Sequence, residues 1–139
     1  VKKNQEIACD SLSEKFRRGE LFDANCPSRD VLKRLTSRWS LLILVALQDD
    51  TLRFSELRRK IGGISERMLS QTLRFMEEDG FVERIAYDVI PPHVEYRLSP
   101  SGHEVRGQVI GLADWIEMNL QQIMDHRRQY AGDVEKISG

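Results

Sequence analysis

The pattern that most restricts this chain lies at residues 53–80, RFSELRRKIGGISERMLSQTLRFMEEDG. Phe54, Leu57 and Ile61 recur at helical spacing on one face, which predicts a short amphipathic helix. Gly62 and Gly63 then permit a tight turn, and Ser65 is placed as N-cap of a second helix that Gly80 closes. At 100° per residue, Leu69, Leu73 and Met76 of that second helix share one stripe, and Arg67, Gln71, Arg74 and Glu78 gather on the opposite side.

The polar side carries groups suited to base edges. Arginine donates two hydrogen bonds to guanine O6 and N7, glutamine pairs with adenine N6 and N7, and Met68 can touch a thymine methyl. Taken alone, this face is better read as the solvated side of an ordinary helix, since helices with an Arg and a Gln outside are common. The segment after Gly80 changes the balance. Residues 81–87 and 94–98 have strand character and flank a tip containing Pro91 and Pro92. Two helices across a turn and then a β-hairpin form the geometry of a winged helix-turn-helix. The candidate DNA contacts are Arg53, Ser65, Arg67, Met68, Ser70, Gln71, Arg74 and His93. Asp88 stands beside the hairpin tip, where only His93 and Arg97 are cationic candidates, so a weak wing contribution is expected.

Net charge bears directly on this reading. The chain of 139 residues is formally −1, so any nucleic-acid surface must be a local patch. Residues 53–74 supply one, with Arg53, Arg58, Arg59, Lys60, Arg67 and Arg74 against only Glu56 and Glu66, a local excess of +4. No apolar run approaches the roughly 20 residues of a membrane span, and the N-terminal stretch lacks the apolar segment of a signal peptide, so a cytoplasmic protein is expected. Cys9 and Cys26 are too few for a disulfide framework and share no ligand spacing with His93, His103 or His126. No metal or cofactor is therefore expected.

The expected fold is mainly α with a small β-hairpin wing, in three parts. Residues 1–25 read as an N-terminal arm, 26–100 as the winged helix-turn-helix, and 101–139 as a dimerisation helix and tail. A first helix is expected from Ser28 as N-cap, and the nearly all-apolar run at 39–47 as the buried centre of the fold. Thr51 to Arg53 suggests a very short strand. Ser99 caps a long last helix in which Val105, Val109, Leu112, Ile116, Leu120 and Ile123 recur nearly as a heptad seam. One subunit has too little surface to cover all of it, so Val109, Leu112, Ile116, Leu120 and Ile123 are candidate homodimer contacts, with partial folding back on residues 39–47 as the competing use.

Three blocks carry a family resemblance: CPSRDVLKRLTSRW at 26–39, FSELRRKIGGISERMLSQTLRFMEEDGFVER at 54–84, and YDVIPPHVEYRLSPSG at 87–102. In this order and spacing the chain resembles the HxlR-type winged-helix transcription regulators of bacteria over about residues 26–120. The resemblance implies a homodimer on an inverted-repeat operator, with the second helix of the motif in the major groove and terminal helices forming the dimer. It also implies a redox role for Cys26, because relatives sense oxidants or electrophiles through the cysteine of a C-P-x-R-D motif. A helix N-terminus and nearby Arg29 favour a thiolate there, whereas burial would leave the thiol inert. His93 departs from a frequent Lys or Arg, and Arg38 replaces a frequent Lys. No phosphate loop, nucleophile elbow or zinc-hydrolase motif points to an enzyme. The rival reading is a winged helix used as a protein-interaction module, which predicts an apolar rather than a positive face at Arg67, Gln71 and Arg74.

Overall fold

A computed structural model describes residues 22–138 together with Ser11 and Glu14. The expected arm at 1–25 thus lies mostly outside the described residues. Within residues 22–138 the chain forms five helices and a small sheet: α1 (Pro27–Leu35), α2 (Arg38–Leu47), β1 (Leu52–Arg53), α3 (Phe54–Ile61), α4 (Glu66–Glu78), β2 (Val82–Tyr87), β3 (His93–Leu98) and α5 (Pro100–Ser138). The sheet is antiparallel in the order β1-β3-β2, with Leu52 opposite Tyr96 and Val82 opposite Leu98.

Helix α2 is the centre, as its all-apolar sequence requires. Ile43, Leu44 and Leu47 are fully buried, and they meet Leu57 of α3 and Leu69 and Leu73 of α4 in one core. Each such side chain contributes about 1.5–3 kcal/mol on burial. Met76, Val82 and Leu98 extend this core to the base of the hairpin, and Val105 and Val109 of α5 close it from the far side. The two glycines of the helix-turn-helix turn have φ of 67° and 74°, a region that disfavours any residue with a Cβ.

Several boundaries differ from the sequence reading for local physical reasons. Helix α1 begins at Pro27 with Cys26 as N-cap, instead of being capped by Ser28. Proline fits the first turn because its fixed φ is helical and its missing N–H would be unpaired there anyway. Asp79 is the C-cap of α4, and Gly80 comes after it with φ of 81°, taking the left-handed turn into β2. Strand β3 starts at His93, one residue early, because His93 pairs with Tyr87 at the end of the ladder. Ser99 behaves as expected: its Oγ accepts from Gly102 N–H at 3.0 Å and donates to the Gly80 carbonyl at 2.5 Å.

Helix α5 has 39 residues, a length of about 58 Å at 1.5 Å per residue. Only its start lies on the domain. Beyond that, the stripe that begins at Val105 and Val109 runs off the core, leaving Leu112 and Ile116 exposed and Leu120 and Ile123 half-buried.

Candidate nucleic-acid interface

The two faces of α4 are separated as the periodicity requires. Leu69, Thr72, Leu73 and Met76 are buried, whereas Arg67, Ser70, Gln71 and Arg74 are exposed. Ser65 sets where the helix starts, its Oγ accepting from Met68 N–H at 3.1 Å. The Thr72 hydroxyl is turned back to the Met68 carbonyl at 2.7 Å, so it is not offered outward. Met68 is 40% exposed and shares the outer side with Gln71.

The positive patch is only partly free. Arg58 Nε donates to the Ile64 carbonyl at 3.2 Å and its Nη1 meets Glu66 at 3.0 Å, so this side chain braces the turn. Lys60 Nζ donates to the Ala46 carbonyl at 2.8 Å and lies 3.4 Å from Asp50, tying α3 to the end of α2. Arg74 lies 3.4 Å from Glu78, one turn on. That leaves Arg53, Arg59 and Arg67 without an ion-pair partner among the described residues. Arg53 is the N-cap of α3, where its backbone N–H donates to Glu56 Oε1 at 3.1 Å, and its charge is felt by Glu95, the residue opposite it on β3.

The wing has less to offer. His93 Nε2 is 2.5 Å from Glu95 Oε1, and Tyr87 donates to the other Glu95 oxygen at 3.3 Å. The His93 hydrogen bond is the main reason the Glu95 carboxyl sits below the usual glutamate range. Arg97 faces Glu83 across the ladder, with Nε 2.6 Å from Oε2. Both side chains assigned to the wing are thus engaged within it. Exposed Arg84 on β2 has no partner among the described residues and is the wing cation that the sequence reading passed over. Its strand position, facing away from Glu83 and Ile85, could have indicated it.

Two further groups were legible only through tertiary structure. Arg34 of α1 reaches the end of α4, 3.2 Å from Asp79, and lies over the Phe75 ring at 4.5 Å. Arg38 lies over the Trp39 ring at 4.1 Å. Cys26 is half-buried at the start of α1, and its carbonyl accepts from Arg29 N–H at 3.1 Å. The Arg29 guanidinium donates to the Phe22 carbonyl at 2.8 Å, away from the role of thiolate partner expected for it. Among the described residues no group of three His, Cys, Asp or Glu side chains can hold a metal, and no helix is long and apolar enough to cross a membrane.

A chain with this helix-turn-helix, three-stranded wing and long terminal helix has well-defined relatives. The HxlR-like helix-turn-helix family model matches residues 34–124. The chain is 58% identical over 121 residues to the HTH-type transcriptional regulator YtfH of Escherichia coli strain K12, covering 87% of this chain and 96% of that protein. A solved structure of the transcriptional regulator ytfH from Salmonella typhimurium is similar at 59% identity and a TM-score of 0.72, over 78% of this chain and 96% of that one. The redox regulator HypR in its reduced form is similar at 32% identity and a TM-score of 0.66, over 71% of this chain and 98% of that one. The chain belongs to the HxlR-like helix-turn-helix family and is a transcription regulator, not an enzyme.

Proposed function

We propose that this regulator is a cytoplasmic homodimer that reads an inverted-repeat operator in duplex DNA, with α4 in the major groove. The observation that carries this reading is the outer face of α4. Arg67 and Gln71 are exposed, side by side in helical register, and without a hydrogen-bond partner among the described residues. Unspent donors on a convex helix are matched by the acceptors and donors of base edges. An interaction module would present an apolar face there. Arg53, Arg59 and Arg84 supply flanking positive charge for phosphates, with Ser65 and Ser70 as hydrogen-bonding neighbours, and His93 is left a minor contact. The exposed Leu112 and Ile116, continued by Leu120 and Ile123, are the faces on which two α5 helices meet. Val109, the first residue of the proposed seam, also packs against its own core.

Cys26 is the proposed redox element. It caps α1, and α1 is linked to the end of α4 through Arg34 and Asp79, so oxidation at Cys26 has a physical route to the reading helix. The likeness to a redox regulator supports the same assignment.

Selection from a random duplex pool tests the operator. The retained sequences should be inverted repeats with half-site centres about 10 bp apart or a multiple of it, matching two reading helices about 34 Å apart. A retained pool with no sequence preference would overturn the reading and leave only phosphate binding.

A further inference from the structure

We infer that the cleft between α1, the start of α2 and α4 is an effector site for a small planar aromatic anion, and that this ligand competes with operator DNA for Gln71. The competition rests on the proposed role of α4. The cleft itself does not.

The cleft has a volume of about 520 Å³, within the range of sites for small organic ligands. Its walls are Trp39, Phe75 and Met68. Most polar groups lining it are already satisfied internally. Ser37 donates to Ser40 at 2.8 Å, Ser40 donates to the Arg34 carbonyl at 2.7 Å, and Thr72 donates to the Met68 carbonyl. The surface between them therefore behaves as apolar. The lining groups that keep unused hydrogen-bonding capacity are the Lys33 ammonium, the Gln71 carboxamide and the Trp39 indole N–H, none of which has a partner among the described residues. All three can donate.

Charge selects the ligand further. Arg34 and Asp30 also line the cleft and pair with each other at 3.6 Å, and Arg34 is held by Glu78 and Asp79 behind it. Lys33 is the lining cation without an ion-pair partner among the described residues, whereas Arg34 is shared by three carboxylates, of which Asp30 itself lines the cleft. The Phe75 and Trp39 rings already carry the Arg34 and Arg38 guanidinium groups, so a cationic ligand would have to displace an arginine from a ring. An anion leaves both arginines on their rings and sits at the Lys33 side of the cleft, clear of the Asp30 carboxylate. A one- or two-ring aromatic carboxylate places its ring against Met68 and the exposed edges of Trp39 and Phe75, and its carboxylate on Lys33. Gln71 closes over it. Because Gln71 lines both this cleft and the groove formed with Arg67 and Arg74, a carboxamide turned toward the ligand is withdrawn from the base edges.

The probe is 2-naphthoate, and the reporters are the indole N–H resonances of Trp39 and Trp115 in 15N-labelled full-length protein. The chain has 2 tryptophans, and Trp115 on α5 serves as internal control. Naphthoate should shift the Trp39 resonance saturably at millimolar concentration and leave Trp115 in place. Lys33→Glu should weaken this about tenfold, and 2-naphthalenemethanol, which has the ring without the charge, should bind about tenfold more weakly than naphthoate. A Trp39 resonance that does not move, or equal affinity for the acid and the alcohol, would overturn the site. These titrations contain no DNA, so their outcome is independent of the operator reading. Saturating naphthoate should then weaken binding of the selected duplex about tenfold for the wild type and not for Lys33→Glu. Unchanged duplex affinity with a filled cleft would overturn the competition.

Discussion

Gly102→Ala should be among the most damaging single-methyl additions to this chain, although alanine is the better helix former. Gly102 is buried in the first turn of α5, where that turn crosses the backbone at the entrance to β2. A Cβ there would lie 2.1 Å from the Phe81 carbonyl oxygen and 3.3 Å from Leu98 Cβ. Real Cβ contacts essentially never fall below 3.0 Å, so about 0.9 Å of separation must open. The obstructing atom is backbone and is held in place, since Phe81 O accepts from Ser99 N–H at 3.0 Å and Phe81 N–H donates to Met76 O at 2.8 Å. Overpacking costs about 1–3 kcal/mol and a weakened cap bond about 1 kcal/mol more, offset by about 1 kcal/mol of helix propensity. The net expectation is a loss of about 1–3 kcal/mol. Gly107→Ala is the matched control: its Cβ meets nothing within 4 Å, so it should gain about 0.5–1 kcal/mol. Urea unfolding at fixed protein concentration reads both, concentration being held so that the proposed subunit association does not enter the comparison. Gly102→Ala as stable as wild type would refute the close packing of α5 on the hairpin base.

Leu112→Glu or Ile116→Glu should dissociate the dimer and abolish operator binding together, because a single half-site binds weakly; sedimentation of a persistent dimer would move the interface elsewhere. Cys26→Ser should remove any loss of operator affinity on peroxide or diamide treatment, with Cys9→Ser responding like wild type, and equal responses of wild type and Cys26→Ser would make Cys26 a packing residue only. The folded Glu95 carboxyl titrates below its unfolded value, so whatever its contact with His93 contributes is present above the ordinary glutamate range and is lost as pH falls through the lowered folded value. NMR titration of Glu95 should therefore show a lowered midpoint that His93→Ala returns toward normal, and no change on that substitution would remove His93 as the cause.

Legibility in the sequence was a matter of range. The helix-turn-helix could be read because Leu57, Gly62, Ser65 and Leu73 act within a few residues of one another, through helical period, turn and cap. The hairpin could be read for the same reason. Interactions across the fold could not. Pairing of Arg34 with Asp79 spans 45 residues, and it converts a cation on α1 into an anchor for α4. The free charge of the patch was overestimated because Lys60 finds Ala46 at the end of α2 and Asp50 just beyond it, partners 14 and 10 residues away. Glycine at 102 lowers helix propensity, and only the approach of Phe81 gives it a purpose. The start of α1 was misplaced by choosing the better hydrogen-bonding cap, Ser28, over the steric preference of Pro27. The exposed Trp115 beside the seam was also passed over, because its place relative to the domain depends on where α5 leaves the core.

The central claim is that the outer face of α4 reads base edges. Its most direct measurement is the affinity of wild type, Arg67→Ala and Gln71→Ala for the selected operator and for a random duplex of equal length, at the same salt concentration. Loss of a base contact should cost about 1–3 kcal/mol on the operator and leave the random duplex almost unchanged, so the ratio of the two affinities collapses. Equal losses on both duplexes would make these side chains phosphate contacts, and no loss on either would place the reading surface elsewhere.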